Sequence, residues 1–186
     1  MKERIISAFM DLSSTMGFYN VTMDELASRA GMSKRTIYRY FRSKEEIIEA
    51  VLDEFMSKVA GGIGQIIAKE TRPADIIAGI VLYITQTART FINPLVLKDL
   101  KVHYPELWQK IEHFRAEKIQ GFIQFMVKGN RNEELRDIDP RIFAAAFIAS
   151  IQAVVNPVFI LDNDLTFEEA VKQLAELFVH GFLKEK

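Results

Sequence analysis

Residues 22–41 read TMDELASRAGMSKRTIYRYF, and the reading of this stretch decides the fold. Thr22 and Glu25 have the spacing of a capping box, in which the hydroxyl accepts from an early helical N–H and the glutamate reaches back to the cap's own amide. The box opens a short helix over 23–30 whose apolar face is Leu26, Ala27 and Ala30. Gly31 supplies the positive φ that a sharp turn needs, and Met32 plugs the corner. Ser33 caps a second helix over 34–41, with Ile37 and Phe41 four residues apart on its buried side. Lys34, Arg35, Tyr38 and Arg39 are left on the outer side. This is the pattern of a helix-turn-helix. A short helix with an apolar back and a cationic, hydrogen-bonding front fits the DNA major groove, and its N-terminus adds a positive dipole end for phosphate.

Charge around the motif points the same way. The chain's formal net charge is −1, which alone argues for no polyanionic partner. Yet Arg29, Lys34, Arg35, Arg39, Arg42 and Lys44 fall between Leu26 and Lys44 with no acid among them, while Asp24, Glu25, Glu45 and Glu46 flank the window. A local basic cluster in a neutral chain is the footprint of a polyanion site, the alternative being a solvated face paired to neighbouring helices.

Working outward, nearly every segment carries helical periodicity and none shows sustained strand alternation. Further capping boxes stand at Ser43/Glu46 and Thr166/Glu169, Asp139-Pro140 reads as a helix start, and Gly17, Gly31 and Gly129 sit where helices should stop. Nine helices are predicted, near 2–16, 23–30, 34–41, 44–68, 73–91, 95–101, 105–128, 140–161 and 167–184. At 186 residues and 49% hydrophobic, 26% charged, the chain is long enough for one real core and is neither disordered nor fibrous. Cysteine is absent, which excludes disulfides, thiolate zinc sites and cysteine nucleophiles. The N-terminal apolar stretch is short and interrupted by Asp11, so no secretory signal is expected and a cytoplasmic protein is. Residues 142–161 carry no charge and are long enough to span a bilayer, but Ser150, Gln152, Asn156 and Pro157 interrupt them. A buried helix at a close subunit contact explains the stripe of Ala145, Ala149, Ala153 and Asn156 better than lipid does.

The stretch IISAFMDLSSTMGFYNVTMDELASRAGMSKRTIYRYFRSKEEIIEAVL, residues 5–52, resembles the tetracycline-repressor (TetR) family of bacterial transcription regulators, with cap, turn, TIYRYF and the SKEE helix start in order. The resemblance implies an all-α fold, with a three-helix DNA-binding domain over 1–46 and a helical ligand-binding and dimerisation domain over 47–186. Carried over residue by residue, it puts Lys34, Arg35, Thr36, Tyr38 and Tyr40 at the groove, with Ser33 and Arg39 beside them and Thr22 and Lys44 on phosphates at the two edges. Arg35 stands where many relatives have glycine. It reads either a guanine edge, worth ~1–3 kcal/mol of discrimination, or a phosphate. Ser13 departs from the family's usual large apolar residue, a space that Phe9 and Met16 can fill from adjacent turns.

For the larger region the resemblance implies a homodimeric, ligand-responsive regulator, a repressor more readily than an activator, released from a palindromic operator by a small molecule. Paired recognition helices should match half-sites ~34–36 Å apart. The residues say less. The helices over 140–184, with Phe167, Val171, Leu174, Phe178 and Phe182 in one stripe, either build an intersubunit four-helix bundle or pack within one chain. Phe91, Trp108, Ile111, Arg115, Ile119, Phe122, Phe125 and Met126 either line a cavity or are plain core. Arg115 is the one charge on that face, and a buried cation needs a partner: a carboxylate of this chain, or an acidic or phosphate-bearing effector. Gly61, Gly62 and Gly64 interrupt the fourth helix. GGIG follows no strand and lacks a P-loop lysine, so a phosphate loop is not indicated. At ~1 kcal/mol per glycine relative to alanine, the three predict a softened joint between the two parts.

An enzyme needs a constellation, and none assembles: His103, His113 and His180 lack metal-ligand spacing, and no nucleophile–base pair can be inferred. No catalytic residue, metal or cofactor is expected. The competing class is a helical small-molecule-binding protein without operator-specific DNA binding, and the intact basic face argues against it.

Overall fold

The computed structural model describes residues 1–91, 93–128 and 136–183, with the backbone alone at 89–91, 94 and 182. Ten α-helices and no strand occur among the described residues: α1 Lys2–Asn20, α2 Met23–Ala30, α3 Lys34–Tyr38, α4 Lys44–Lys69, α5 Pro73–Phe91, α6 Pro94–His103, α7 Pro105–Lys128, α8 Pro140–Val154, α9 Pro157–Asp162 and α10 Phe167–Phe182. The expected all-α architecture is what the chain adopts. Gly129 lies outside the described residues.

Local chemistry explains most of the boundaries. Thr22 Oγ1 accepts from the Glu25 amide at 3.3 Å while Glu25 Oε2 accepts from the Thr22 amide at 2.9 Å, and Thr166 with Glu169 closes the same box on α10. The Thr22 hydrogen bonds hold the Glu25 carboxyl below the usual carboxylate range. At α4 only half the expected box forms: Ser43 accepts from the Glu46 amide, but Glu46 takes the amide of Arg42 instead of the cap's own. Asp139 accepts from the Arg141 amide at 2.8 Å, and its bonds to Arg141 pull its pKa to about 2.

Two helices depart from expectation. The segment read as one helix over 140–161 is two. Pro157 has no N–H to give α8, so Val155 leaves the helix at ψ 55 and Asn156, accepting from the Val158 and Phe159 amides, caps α9. No helix among the described residues is long and apolar enough to cross a membrane. The second is α3, which ends at Tyr38 instead of residue 41, with the Tyr40 and Phe41 amides closing a turn onto Ile37 O at 2.9 and 3.0 Å.

The core is continuous from the small helices into the larger region. Ile5, Phe9, Phe18, Leu26, Ile37, Ile47, Ile48 and Val51 are buried together with Leu100, Tyr104 and Ile111. Ser13 is 3% exposed, satisfied by donating to Met10 O at 3.1 Å. Phe9 is fully buried in the same core, its ring centroid 5.5 Å from that of Phe18, and Met16 packs against that core half-buried. α6 bolts α1 to the rest: Asp99 Oδ2 accepts from the Tyr19 amide at 2.8 Å, Asn93 donates to Ser14 O at 2.8 Å, and the Tyr19 and His103 rings stack at 3.8 Å.

α4 passes through all three of its glycines as one helix. They are not equivalent. A Cβ at Gly61 or Gly64 would point into open space, whereas one at Gly62 would run into the ring of Tyr83, whose hydroxyl donates to Lys58 O at 3.0 Å.

Candidate nucleic-acid interface and apolar chamber

The turn between α2 and α3 is built by Gly31 at φ 60, ψ 43, whose amide donates to Ala27 O and Ser28 O, followed by Met32 donating to Ala27 O at 3.0 Å. Ser33 then accepts from the Thr36 amide at 3.0 Å and starts α3. Ile37 and Phe41 are buried, which fixes the rotation of α3 and sends Lys34, Arg35, Tyr38 and Arg39 to solvent. Tyr38 is 48% exposed despite its ring. Lys34 reaches Asp24 at 2.6 Å across the turn, but both side chains are exposed, and such a pair is worth little and exchanges readily for a phosphate.

The remaining expected contacts are placed less freely. Thr36 shares a hydrogen bond of 2.8 Å with Ser33, and Tyr40 is half-buried against the core. Lys44 turns inward: its ammonium donates to Tyr19 O at 2.6 Å and Val21 O at 3.0 Å, closing the end of α1, and lies over the Tyr19 ring. Burial pulls its pKa below the usual lysine value, against the opposing pull of Glu45 and Asp99. Two of its three N–H groups are thus spent inside the chain. Arg4, from the first turn of α1, brings its guanidinium against Gly31, and Lys2 lies over Phe41. Both add cations beside the turn. Their only signal in the sequence is the opening MKER, which no motif spacing connects to residues 31–41.

In the larger region α4, α5, α7, α8 and α10 surround a cavity of about 210 Å³. Of the residues expected around a cavity, Ile111, Arg115, Ile119 and Phe122 line it. Trp108 packs half-buried in the core and Met126 is buried in a separate cluster, Phe125 packs against that cluster, and the side chain of Phe91 lies outside the described residues. Much of the wall comes from helices the sequence did not implicate, among them Phe55 and Val59 of α4, Ile80 and Ile84 of α5, and Phe143, Phe147 and Ile151 of α8. Val171, Leu174 and Phe178, weighed as dimer contacts, face this cavity from α10; the Phe178 ring meets Phe143 edge-on at 5.5 Å. Within the chain, that stripe packs on its own neighbours. The side chain of Phe182 lies outside the described residues. Ala145, Ala149 and Ala153 are exposed on α8, with Ile142 and Leu177 each 67% exposed nearby on α8 and α10, while Asn156 is half-buried at its cap.

Arg115 has found a carboxylate of this chain. Its Nη1 lies 2.9 Å from Glu112 Oε1, both side chains are nearly buried at 17 and 18% exposed, and the guanidinium sits over the Trp108 ring at 5.6 Å. Burial pulls its pKa below the usual arginine value and Glu112 opposes that pull. Tyr104, at the junction with α1, has its hydroxyl pushed up to about 12 by burial. No cluster of three His, Asp or Glu side chains able to hold a metal occurs among the described residues.

Comparison with known proteins agrees with this geometry. Residues 5–51 match the family of bacterial regulatory proteins, tetR family. The chain is 25% identical over 187 residues to the uncharacterized HTH-type transcriptional regulator YvaF of Bacillus subtilis, covering 100% of this chain and 97% of that one. The fold is shared with a transcriptional regulator of Saccharomonospora viridis solved in complex with choline, at a TM-score of 0.76 and 16% identity over 99% of this chain and 98% of that one. It is shared equally with a TetR transcription regulator of Haloarcula marismortui, at 0.75 and 15% identity over 98% of each chain. Residues 5–51 thus carry the N-terminal domain of the tetR family of bacterial regulatory proteins, and the fold of the solved regulators continues through the rest of the described chain.

Proposed function

We propose that the protein is a homodimeric repressor that binds a palindromic operator through α3 and releases it when a small molecule enters the chamber. The observation that carries this reading is the shared helix. The N-terminal half of α4 supplies Ile47, Ile48 and Val51 to the core beneath α3, and its following turns supply Phe55, Met56 and Val59 to the chamber wall. A ligand that binds better when α4 is displaced shifts the balance by its differential affinity for the two positions, and no more. Operator half-sites ~34–36 Å apart do not move with it, so a shift of the recognition helices weakens binding. The exposed face of Ala145, Ala149 and Ala153, flanked by Ile142 and Leu177, is suited to close helix–helix contact with a second copy. The choline of the Saccharomonospora viridis protein does not carry over. It is a cation, and the charged side chains lining this chamber, Arg115 and Lys118, are cations too.

Selection from random duplex DNA at low ionic strength tests the proposal; two-fold symmetric sites should emerge, and failure to retain any duplex would refute it. On a selected site, Arg35→Ala is expected to weaken binding at least tenfold while barely changing the affinity for scrambled DNA. Equal losses on both, with the salt slope reduced by about one, would assign Arg35 to a phosphate.

The glycines of α4 give a second test. Gly61→Ala and Gly64→Ala should each raise the unfolding free energy by about 1 kcal/mol, and the urea midpoint with it, because each adds helix propensity in open space. Gly62→Ala should lower it, since Tyr83 must swing away and abandon its bond to Lys58. If α4 works as a softened joint, the Gly61/Gly64 double replacement also blunts ligand-induced release while leaving ligand affinity intact.

A further inference from the structure

The charge pattern of the chamber singles out a class of ligand, on the reading that the chamber is the effector site. Its wall carries no hydroxyl, amide or carboxylate: every described lining residue except two is aliphatic, aromatic or methionine, and those two are Arg115 and Lys118. A ligand rich in polar groups would bury them unpaired there, at a cost no wall residue offsets. The two cations lie three residues apart on α7 and therefore on one face, so they mark a single polar end to an otherwise apolar space.

That end is an acceptor site. Both hydrogen bonds the guanidinium makes within the chain leave from Nη1, to Glu112 Oε1 at 2.9 Å and more weakly to Val155 O at 3.4 Å. No buried side-chain nitrogen is left unbonded among the described residues, so Nε and Nη2 are not sealed away, and Arg115 is itself a residue of the chamber wall. Glu112 is not a wall residue; it stands behind Arg115 as its resident counterion. Among the described residues Lys118 pairs with the exposed Glu117, at 2.9 Å, and rests over the Phe114 ring. Glu112 neutralises Arg115 in the half-dry interior, whereas the 73% exposed Glu117 holds Lys118 only weakly, so the pair of cations keeps about one net positive charge for a ligand and not several.

We propose that the chamber takes an amphiphilic monoanion, a single carboxylate on a long hydrocarbon tail, with the head bidentate on Arg115, supported by Lys118, and the tail among the aromatic and branched side chains of α4, α5, α8 and α10. A planar carboxylate matches the paired N–H groups of a guanidinium, and the charge-assisted bonds gain strength in an apolar setting.

The test is direct binding to the full chain without DNA, below micelle-forming concentrations, using dodecanoate, dodecanol and dodecyltrimethylammonium. The chain's single tryptophan, Trp108, lies against Arg115 and reports the head group through its fluorescence. Dodecanoate should bind at least tenfold tighter than dodecanol, and the ammonium compound weakest. Arg115→Gln should remove that advantage while leaving dodecanol within about twofold. Because that change strands Glu112, the Arg115→Gln/Glu112→Gln pair, neutral on both sides, is measured alongside and should lose the same preference. Dodecanol binding as tightly as dodecanoate, or a carboxylate preference surviving both variants, overturns the assignment and leaves the effector reading standing. Tight, Arg115-dependent binding that never releases DNA upholds the ligand class and sinks the effector reading instead.

Discussion

Alanine at position 17 is expected to lower the unfolding free energy by about 3 kcal/mol. Two independent costs add. Gly17 holds φ 77 and ψ 174, a region essentially closed to side chains, and forcing one there costs about 1–3 kcal/mol. The new Cβ would also run into the Asp99 carboxylate, the group that accepts from the Tyr19 amide at 2.8 Å. Pushing Asp99 aside leaves that amide unpaired at the joint between α1 and α6, adding roughly 1 kcal/mol or more. Urea unfolding measures the sum, and the Asp99→Ala background separates it. There the collision disappears while the backbone strain stays, so Gly17→Ala should cost less but never nothing. A variant within 0.5 kcal/mol of the parent in either background would show that the chain has an easier backbone route through this turn. Because the strain sits where α6 grips α1, operator binding should weaken in Gly17→Ala even at temperatures where it remains folded.

The turn at Gly17 belongs to the part of the fold that local chemistry writes into the sequence. Gly17 kinks α1 and Gly31 stops α2 because glycine takes positive φ without strain, and Thr22, Ser33 and Thr166 start helices with side-chain bonds that span three residues. The front of α3 was legible for the same reason: Ile37 and Phe41 face the core by local geometry, so Arg35 and Tyr38 cannot. What failed to show were pairings between distant segments. Lys44 reads as a phosphate ligand, and nothing in the sequence shows that the end of α1 lies beside it and accepts two of its N–H bonds. Val171, Leu174 and Phe178 form an apolar stripe that is equally good for a partner or for α8, and only the packing of Phe178 on Phe143 and Phe147 says which neighbour it has in the chain. Likewise Trp108 and Ile111 share one stripe on α7, yet a slight rotation puts Ile111 on the cavity and leaves Trp108 against the core. Arg115 shows the opposite case. A charge on an apolar face demands a counterion, and that demand can be read without knowing where the helix sits.

The counterion itself gives the second large effect. Glu112→Gln is expected to destabilise the unliganded protein by about 2 kcal/mol, although it alters neither the volume nor the shape of the side chain. Breaking a buried ion pair from one side costs 3–5 kcal/mol, because the other charge stays behind uncompensated; side chains still 17 and 18% exposed lose somewhat less. The glutamine carbonyl can still accept from Nη1, so the loss measures charge and not a missing hydrogen bond. Arg115→Gln alone should be destabilising through the stranded Glu112, whereas the double replacement should recover much of either single loss, a coupling that a double-mutant cycle reads directly. Additive single losses would mean that the pair is screened and that Arg115 is held by Trp108 and packing instead. In Glu112→Gln the guanidinium has no resident carboxylate competing for it, so an incoming carboxylate finishes what the mutation took away. Dodecanoate should then bind several-fold tighter than it does to the parent and should restore more stability than it adds there, while dodecanol does neither. The same substitution that weakens the empty protein would thereby sharpen its response to an anionic ligand, which a merely structural role for the Arg115–Glu112 pair does not predict.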